Sequence, residues 1–289
     1  MREARLRAVW AEGGCGLSAW LMSPAAVQAE LLATLDWDAI TLDMQHGIVD
    51  YAAAVALLQA ISSTSATPLV RVPANDPSVI GKVLDAGAYG VICPLVNTAE
   101  EAAALVRACR YPPDGERSYG PQRAVAYAGD DYVTEANDTV LVIAQIETVA
   151  AVENLDGILA TPGLDAIYIG SADLAFSMGK EPVIDFSDPE TIEVHREIIA
   201  AAHHHGVRVG LYAAVGSDVR FCLDRGADFV TLATDHALLV GAAARLKAAA
   251  REEVAAAGRL AAVSEGGPAR IAAGAYGSKT TAATEGGSR

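Results

Sequence analysis

The chain has 289 residues, of which 52% are hydrophobic and 20% are charged, and its formal net charge is −15 at pH 7. This length and apolar content suit one large core, such as that of a single α/β barrel. The acidic balance argues against nucleic acid or anionic membrane as a partner, because phosphate groups select basic protein faces.

Beyond a helical N-terminal stretch, short apolar segments alternate with segments of helical periodicity. Ser23 and Pro24 give a helix start signal after the first apolar segment, since proline suits the first turn of a helix. The predicted strands are residues 16–22, 39–43, 68–72, 90–94, 140–146, 166–169, 208–211 and 229–232. The predicted helices are residues 23–34, 50–61, 77–86, 98–109, 148–155, 189–204 and 236–256, with a short one from Ala172.

The eight predicted strands are apolar on both faces, as strands of a parallel sheet covered by helices must be. Repeated strand–helix units predict an α/β fold, a single-domain (β/α)8 TIM barrel in residues 1–257, with an open doubly wound sheet as the alternative. A polar segment, residues 111–138, is too long for a plain connector and is of the length that is usually functional or disordered. Residues 258–289 are rich in Ala, Gly, Ser and Thr and predict a disordered tail.

The four cysteines lie at wide and irregular intervals without a CxxC pair, at positions Cys15, Cys93, Cys109 and Cys222. This spacing predicts neither a zinc knuckle nor a disulfide framework, and it favours a reducing cytoplasmic location. The N-terminal stretch MREARLRAVWAEGG lacks a signal-peptide core, and no run reaches the roughly 20 apolar residues that a membrane span needs.

Polar side chains collect at the carboxyl ends of the predicted strands, which face one mouth in a barrel. They are Asp43 and His46 after the second strand, Arg71 at the third, Gln145 and Glu147 at the fifth, and Gly170 to Asp173 after the sixth. The Glu147 and Asp173 carboxylates, with no histidine or thiol nearby, suit a hard divalent ion such as Mg²⁺ or Mn²⁺. Helix capping and a surface salt bridge are the alternative roles for this pair.

Two of these positions suit an anionic substrate. Gly170, Ser171 and Ala172 open a helix directly after a strand, where free backbone N–H groups can bind a carboxylate or phosphate. The planar fork of Arg71 suits a carboxylate or an enolate oxygen, and a buried structural ion pair is the alternative.

Of the six histidines, only His46 lies in the loop after the end of a predicted strand and has an acidic residue nearby in sequence. An imidazole with a pKa of about 6.5 can take a proton near neutral pH, so His46 is the candidate base. Either Asp43 or Asp85 could be the carboxylate that orients its ring. The run His203 to His205 points in three directions and reads as a helix end rather than a metal site.

Five segments in this order resemble the HpcH/HpaI aldolases, metal-dependent (class II) pyruvate aldolases of the phosphoenolpyruvate/pyruvate barrel superfamily. They are LDMQHGIVDY, PLVRVPANDP, KVLDAGAYGVICPLVNTAEEA, AQIETVAAVENLDGI and DAIYIGSADLAFSMG, within residues 17–239. The resemblance implies a divalent ion, Mg²⁺, Mn²⁺ or Co²⁺, on Glu147 and Asp173. It also implies that Gln145 lines the metal site and that Arg71 holds the pyruvyl oxygens.

The same resemblance implies that the backbone of Ser171 and Ala172 receives the substrate carboxylate, and that His46, partnered by Asp85, is the base. The chain departs from the family at two positions. Gln45 stands where a Glu is common, and simple alignment puts Ser18 where the family has a Trp in the first strand. Trp20 points to the same face as Ser18 by strand alternation.

The reaction that the resemblance implies is reversible cleavage of a 4-hydroxy-2-oxo acid to pyruvate, or a related 2-oxo acid, and an aldehyde. A metal-stabilised enolate is the implied intermediate. The implied assembly is a homo-oligomer, a hexamer built as a trimer of dimers, in which the last barrel helix packs on a neighbour. A CoA-ester lyase of the citrate lyase β-subunit or malyl-CoA type is the alternative enzyme, although such proteins lack the DxxHG arrangement that ends in Gly47. A barrel that binds a keto acid without catalysis is the alternative from another class.

Overall fold

The computed structural model describes residues 1–183, 187–214 and 216–259 of the chain. Eight parallel strands form a closed barrel in sequential order, and β1 completes the ring by pairing with β8. The predicted (β/α)8 barrel is therefore confirmed, and the open doubly wound sheet was the wrong alternative. The strands are β1 Gly16–Leu21, β2 Ala39–Asp43, β3 Thr67–Arg71, β4 Gly90–Cys93, β5 Leu141–Ile146, β6 Ala166–Ile169, β7 Arg208–Ala213 and β8 Phe229–Thr234.

Six of the helices described below begin at a side-chain cap. Asp50, for example, accepts a hydrogen bond from the Ala53 amide at 2.8 Å at the start of α3, and Thr98 and Glu101 form a capping box at α5. The predicted start at Ser23 and Pro24 is wrong by a few residues, because α2 begins at Ala26 after Ala25, which makes no side-chain cap. The helices are α1 Arg5–Ala11, α2 Ala26–Ala33, α3 Tyr51–Ile61, α4 Pro77–Asp85, α5 Ala99–Cys109, α6 Gln122–Ala128, α7 Tyr132–Thr139, α8 Val149–Glu153, α9 Leu155–Leu159, α10 Ser171–Ser177, α11 Pro189–His204, α12 Gly216–Asp224 and α13 Asp235–Ala256.

The structure differs from the sequence prediction in three segments. The polar insertion, residues 111–138, contains α6 and α7, and it connects the end of α5 to the start of β5. It therefore lies at the end of the barrel opposite the mouth. Helix α12 was not predicted, and the predicted helix 148–155 is split into α8 and α9. Of the predicted tail, Gly258 and Arg259 are described, and residues 260–289 lie outside the described part.

The core has two layers. Aliphatic side chains fill the space between the strands and the surrounding helices, and a smaller, largely aromatic cluster fills the barrel interior. In the interior the Trp10 ring lies 5.7 Å from that of Phe229, between ring centroids. Gly210 makes room for Phe229, because a Cβ at Gly210 would lie 2.2 Å from the Phe229 ring. The interior is thus a packed core rather than a pore.

Helix α1 covers the amino-terminal end of the barrel. Its Leu6 and Trp10 are buried, and the Trp10 indole donates to the Asp228 carbonyl at 2.9 Å. The Leu6 amide donates to the Thr67 hydroxyl, also at 2.9 Å. The helical N-terminal stretch is therefore part of the folded unit.

Three carboxylates, here called the aspartate staples, tie neighbouring strands together at the same end. Each precedes an even-numbered strand and accepts an amide of the preceding odd-numbered strand at 2.8 Å: Asp38 from Leu17, Asp165 from Val142 and Asp228 from Val209. Each is also paired with arginine: Asp38 with Arg5, Asp165 with Arg7 and Arg110, and Asp228 with Arg208. Partial burial makes these charge-assisted bonds stronger than exposed ion pairs.

The long helix α13 makes little contact with its own barrel. Leu239 is 64% exposed and Leu246 is 75% exposed. Of the α13 residues, all of which lie in the described part of the chain, Asp235 alone is buried. Across residues 1–183, 187–214 and 216–259, no helix combines the length and apolar character needed to cross a bilayer.

His195 on α11 is fully buried, and neither ring nitrogen has a hydrogen-bond partner among the described residues. Burial, with a smaller effect of the Arg225 charge, lowers its pKa to about 4. The unfolded chain therefore binds this proton first as the pH falls from about 6.5 to about 4, and folding stability is lost over that window. The full effect is about 3 kcal/mol.

We therefore expect His195→Leu to remove this part of the pH dependence, and to leave stability near pH 7.5 unchanged or higher because two unsatisfied nitrogens are removed. Urea unfolding at pH 7.5, 6 and 5 measures the difference. His204→Leu, which changes an exposed residue of the same helix, is the control. Equal loss of stability in wild type and His195→Leu between pH 6 and 5 would contradict the prediction.

Candidate active site

A buried ion pair joins the ends of β2 and β3 at the mouth. Asp43 and Arg71 are register partners, and Arg71 donates to both carboxylate oxygens, from Nε to Oδ1 at 2.9 Å and from Nη2 to Oδ2 at 2.6 Å. The Trp20 indole donates to the same carboxylate at 3.1 Å, and the guanidinium carbon lies 4.8 Å from the Trp20 ring centroid. The planar guanidinium is therefore fixed in orientation from two directions.

Asp43 also organises the loop that follows β2. Its Oδ1 accepts the amides of Gln45 at 3.0 Å and His46 at 3.2 Å. Burial by itself would raise the Asp43 pKa, but the Arg71 hydrogen bonds and charge, the His46 amide and Trp20 outweigh burial and lower the pKa. Asp43 thus remains a carboxylate that holds Arg71 and the loop backbone, and it is not the acid that orients the His46 ring.

Glu147 follows β5 and is 2% exposed. Its Oε1 accepts the Leu95 amide at 2.7 Å, and its Oε2 accepts the Gln145 side-chain amide. Gly170 at the end of β6 leaves room for this carboxylate, because a Cβ at Gly170 would lie 2.7 Å from Glu147 Oε2 and 2.9 Å from Gln145 Nε2. The glycine is needed here for close approach, since its φ of −81° suits any residue.

The Glu147 carboxylate lies in an unfavourable site for its own charge. Burial raises its pKa, the Leu95 amide opposes that rise, and the negative charge of Asp173 adds to it. The structure therefore brings Glu147 and Asp173 close enough to interact electrostatically. A cation placed between them would offset both burial and repulsion.

The donor set around this pair fits a hard cation. Gln145 Oε1 and Ser171 Oγ are buried and have no hydrogen-bond partner among the described residues. Two carboxylates with neutral oxygens nearby suit Mg²⁺ or Mn²⁺, which keep several water or substrate ligands. In the part of the chain that the structure describes, no three His, Cys, Asp or Glu side chains converge as a closed metal cage would require.

A small cleft opens beside the Arg71 guanidinium and Asp173. Glu147 does not line it, but the Gln145 side chain, which does, donates to the Glu147 carboxylate. The cleft is lined by predicted site residues from several strand ends, Arg71, Gln145, Ser171, Ala172 and Asp173, together with Trp20, Tyr168, Tyr212 and Thr234. The predicted positions thus converge on one mouth, although they are far apart in sequence. Metal binding and substrate binding by these residues stay predictions.

His46 lies on the same rim but is exposed and does not line the cleft. Its backbone is held by Asp43, while its ring makes no hydrogen bond within residues 1–183, 187–214 and 216–259. The ring is therefore available for an incoming group, and its role as base stays a prediction.

The structure does not bring Asp85 to His46 within one chain. Asp85 ends α4, near the amino-terminal end of β4, whereas His46 follows the carboxyl end of β2. The Asp85 carboxylate instead accepts a 2.8 Å hydrogen bond from Arg117, whose guanidinium also donates to the Tyr132 hydroxyl at 3.0 Å. The predicted partnership of Asp85 with His46 is therefore not formed within one chain.

Sequence reasoning missed two contributors to the mouth, Leu95 and Thr234, and it considered Trp20 without predicting its contact with Arg71. The Leu95 amide reaches Glu147 because Leu95 adopts a positive φ of 54°, which is uncommon for a residue other than glycine. Trp20 supports Arg71, and Thr234 at the end of β8 lines the cleft. Their positions at the ends of β1, β4 and β8 are the sequence signal that could have identified them.

Comparison with known proteins gives one family and several relatives. The family profile described as HpcH/HpaI aldolase/citrate lyase matches residues 17–242. A hydroxypyruvate/pyruvate aldolase of Rhizorhabdus wittichii is 43% identical over 247 residues, covering 86% of this chain and 98% of the relative. A 5-keto-4-deoxy-D-glucarate aldolase of Salmonella paratyphi C is 36% identical over 235 residues, covering 81% of this chain and 90% of the relative.

Among solved structures, an HpcH/HpaI aldolase/citrate lyase family protein of Burkholderia cenocepacia superposes with a TM-score of 0.78 at 33% sequence identity. The superposition covers 86% of this chain and 97% of the other. The similarity therefore extends over the whole barrel and includes every strand end that forms the mouth.

Proposed function

Because the chain belongs to the HpcH/HpaI aldolase/citrate lyase family, we propose that it is a divalent-metal-dependent aldolase acting on 4-hydroxy-2-oxo acids. The products of cleavage are pyruvate, or a related 2-oxo acid, and an aldehyde. The observation that carries the proposal is one cleft lined by Arg71, Asp173 and the unpartnered oxygens of Gln145 and Ser171. The buried Glu147 carboxylate is hydrogen-bonded to the Gln145 side chain and interacts with the Asp173 charge. The two relatives described above are named as aldolases, which favours this reaction over the CoA-ester lyase alternative.

Glu147 and Asp173 would hold the metal ion, and Gln145 would line its site. When bound, Mg²⁺, Mn²⁺ or Co²⁺ supplies a Lewis acid whose positive charge favours enolate formation. Arg71, clamped by Asp43, adds a fixed positive charge on the same side of the cleft. The backbone of Ser171 and Ala172 would receive the substrate carboxylate.

In the cleavage direction, His46 removes the proton of the C4 hydroxyl group. The C3–C4 bond breaks, C4 becomes the aldehyde carbon, and the bonding electron pair passes to the 2-oxo fragment as an enolate. A proton added at C3 then completes the 2-oxo acid. Condensation runs through the same steps in reverse, with His46 returning its proton to the new alkoxide.

The catalytic unit that we propose is a homo-oligomer, a hexamer in keeping with the resemblance. Leu238, Leu239 and Leu246 expose an apolar surface on α13 that its own barrel does not cover. Such an assembly would also allow Asp85 of one copy to approach His46 of another. Sedimentation of the purified protein measures the oligomeric state.

Removal of metal tests the reaction class. We expect the purified protein to release pyruvate from a 4-hydroxy-2-oxo acid in the presence of Mg²⁺, Mn²⁺ or Co²⁺, to lose this activity in EDTA and to regain it when metal is restored. A coupled pyruvate assay over several aldehyde donors measures it. Turnover that survives EDTA and is trapped by borohydride would instead indicate a Schiff-base enzyme and contradict the proposal.

His46→Ala is expected to lower kcat for cleavage by about 10²- to 10⁴-fold, the usual contribution of general base catalysis. Metal affinity should be retained, because His46 is not a proposed ligand. Steady-state kinetics and Mn²⁺ titration measure the two effects separately. His204→Ala, at an exposed site on the far end of α11, is the control, and a His46→Ala enzyme with wild-type kcat would remove His46 from the mechanism.

A further inference from the structure

The buried carboxylate of Asp235 lies where α13 leaves the barrel. It is 2% exposed, and the rest of α13 is partly or fully exposed. Thr234 already caps the helix, because its hydroxyl accepts the Ala237 amide at 3.1 Å. The Asp235 carboxylate is therefore not needed as the cap of α13.

Asp235 instead binds the segment that follows β1. Its Oδ1 accepts the Met22 amide at 3.0 Å, and its Oδ2 accepts the Ser23 amide at 3.1 Å and the Gln28 side-chain amide at 3.3 Å. A further bond, from the His236 amide, belongs to its own helix. Three of these four donors thus come from the β1–α2 connection and from α2, and the connection lies beside the mouth.

The backbone of Met22 in turn holds the loop that carries His46. The Met22 carbonyl accepts the Ile48 amide at 2.8 Å. Gly47 packs closely against the same main chain, since a Cβ at Gly47 would lie 3.1 Å from both Cα and O of Met22. Residues 45–48 are therefore fixed from two sides, by Asp43 through the Gln45 and His46 amides and by Met22 through Ile48.

The backbone at the end of β8 fixes the direction in which α13 begins. Ala233 has a positive φ of 36°, and the β1–β8 register shifts between Ala19 and Trp20. Such a local irregularity is maintained only where the surroundings hold it. The backbone at the end of β8 therefore sets the position of Asp235. We infer that Asp235 does not move together with the β1–α2 connection.

From these contacts we infer that Asp235 is a positioning residue for His46: it acts through the Met22 backbone and couples the placement of α13 to the mouth. The catalytic part of this inference rests on the proposed role of His46. The structural part, that Asp235 restrains residues 45–48, does not depend on the reaction.

Asp235→Asn tests the structural part. The substitution keeps the shape of the side chain but replaces one oxygen by an NH2 group. That group faces either the Met22 and His236 donors or the Ser23 and Gln28 donors, and leaves those part-buried donors without an acceptor. We expect amide hydrogen exchange in residues 45–48 to become about tenfold faster, because a local opening becomes easier. Exchange in residues 141–147 should be unchanged. Asp224→Asn, which removes the same charge at a half-exposed site on α12, is the matched control.

The kinetic part uses the same variants with metal and a 4-hydroxy-2-oxo acid. We expect Asp235→Asn to lower kcat about tenfold while KM and Mn²⁺ affinity stay within about twofold, since a displaced base affects the chemical step and not ground-state binding. A general loss of folded protein would instead lower the active fraction and the thermal midpoint together. Asp224→Asn should match wild type in both kinetics and exchange.

Unchanged exchange in residues 45–48, with faster exchange confined to residues 22–23 and α13, would overturn the inference. Wild-type kcat in Asp235→Asn would overturn the catalytic part of the inference. If Asp235→Asn does not fold, Gln28→Glu tests the same restraint. This substitution places a second negative charge beside Asp235 from a partly exposed position. It should also make amide exchange in residues 45–48 faster. If wild type lacks aldolase activity, the proposed function fails, and the exchange experiment still decides whether Asp235 restrains the loop.

Discussion

Glu147→Gln is expected to weaken Mn²⁺ binding by about 100-fold and to lower kcat on the order of 10³-fold, which corresponds to about 4 kcal/mol of transition-state stabilisation. The fold should be retained. The introduced glutamine side chain can still accept the Leu95 amide, and the Gln145 amide can turn its unpartnered Oε1 toward the new NH2 group. Mn²⁺ titration and steady-state pyruvate release measure the two losses, so binding can be separated from chemistry.

Two further variants test the interpretation of that result. Glu153→Gln removes the same charge from an exposed position on α8 and should resemble wild type. Gly170→Ala leaves Glu147 chemically intact but places a methyl group 2.7 Å from its Oε2, so it should also weaken Mn²⁺ binding. Full metal affinity in both Glu147→Gln and Gly170→Ala would exclude Glu147 as a ligand.

Arg71→Lys is expected to lower kcat on the order of 100-fold and to destabilise the protein by about 1–3 kcal/mol. A lysine keeps the positive charge but loses the two-pronged bond to Asp43 and the flat contact with Trp20. Asp43 is completely buried, so any donor that it loses is not replaced by water. Steady-state kinetics and thermal unfolding measure the two effects.

Arg107→Lys, which alters a half-exposed arginine paired with Glu116, is the matched control for charge-conserving replacement and should change neither quantity. A kcat for Arg71→Lys within twofold of wild type would show that the fixed geometry of the guanidinium does not matter for the reaction. The positive charge of the side chain at position 71 would then be sufficient for catalysis.

The sequence predicted the barrel and the convergence of its mouth because both depend on local patterns. The bounds of β2 and β6 agree with the prediction to the residue, since each is a short apolar run that ends in a polar or glycine-containing turn. In a parallel barrel, identifying a strand end is enough to place its side chain at the mouth. Arg71 and Glu147 therefore did not require long-range information.

The partners of those side chains could not be predicted in the same way. Asp43 lies three residues before His46, yet its carboxylate turns toward Arg71 and the loop amides rather than the imidazole. Asp43 is the last residue of β2 and His46 lies in the loop beyond it, and sequence spacing across a strand end does not specify which groups a side chain will contact. Asp85 was one of two acids considered for His46, and the resemblance selected it. Because α4 ends near the amino-terminal end of β4, its last residue does not reach the mouth of the same chain.

The aspartate staples stabilise the barrel at one end, and the residues proposed to carry out the reaction lie at the other end. The ion pairs of the staples close the barrel at the end covered by α1, about a strand length away from the residues that line the cleft. Mutagenesis libraries directed at exposed side chains of the mouth, such as those of Ile48 and Leu95, should accordingly yield a high fraction of soluble variants. This makes the scaffold suitable for laboratory evolution toward new carbon–carbon bond-forming substrates.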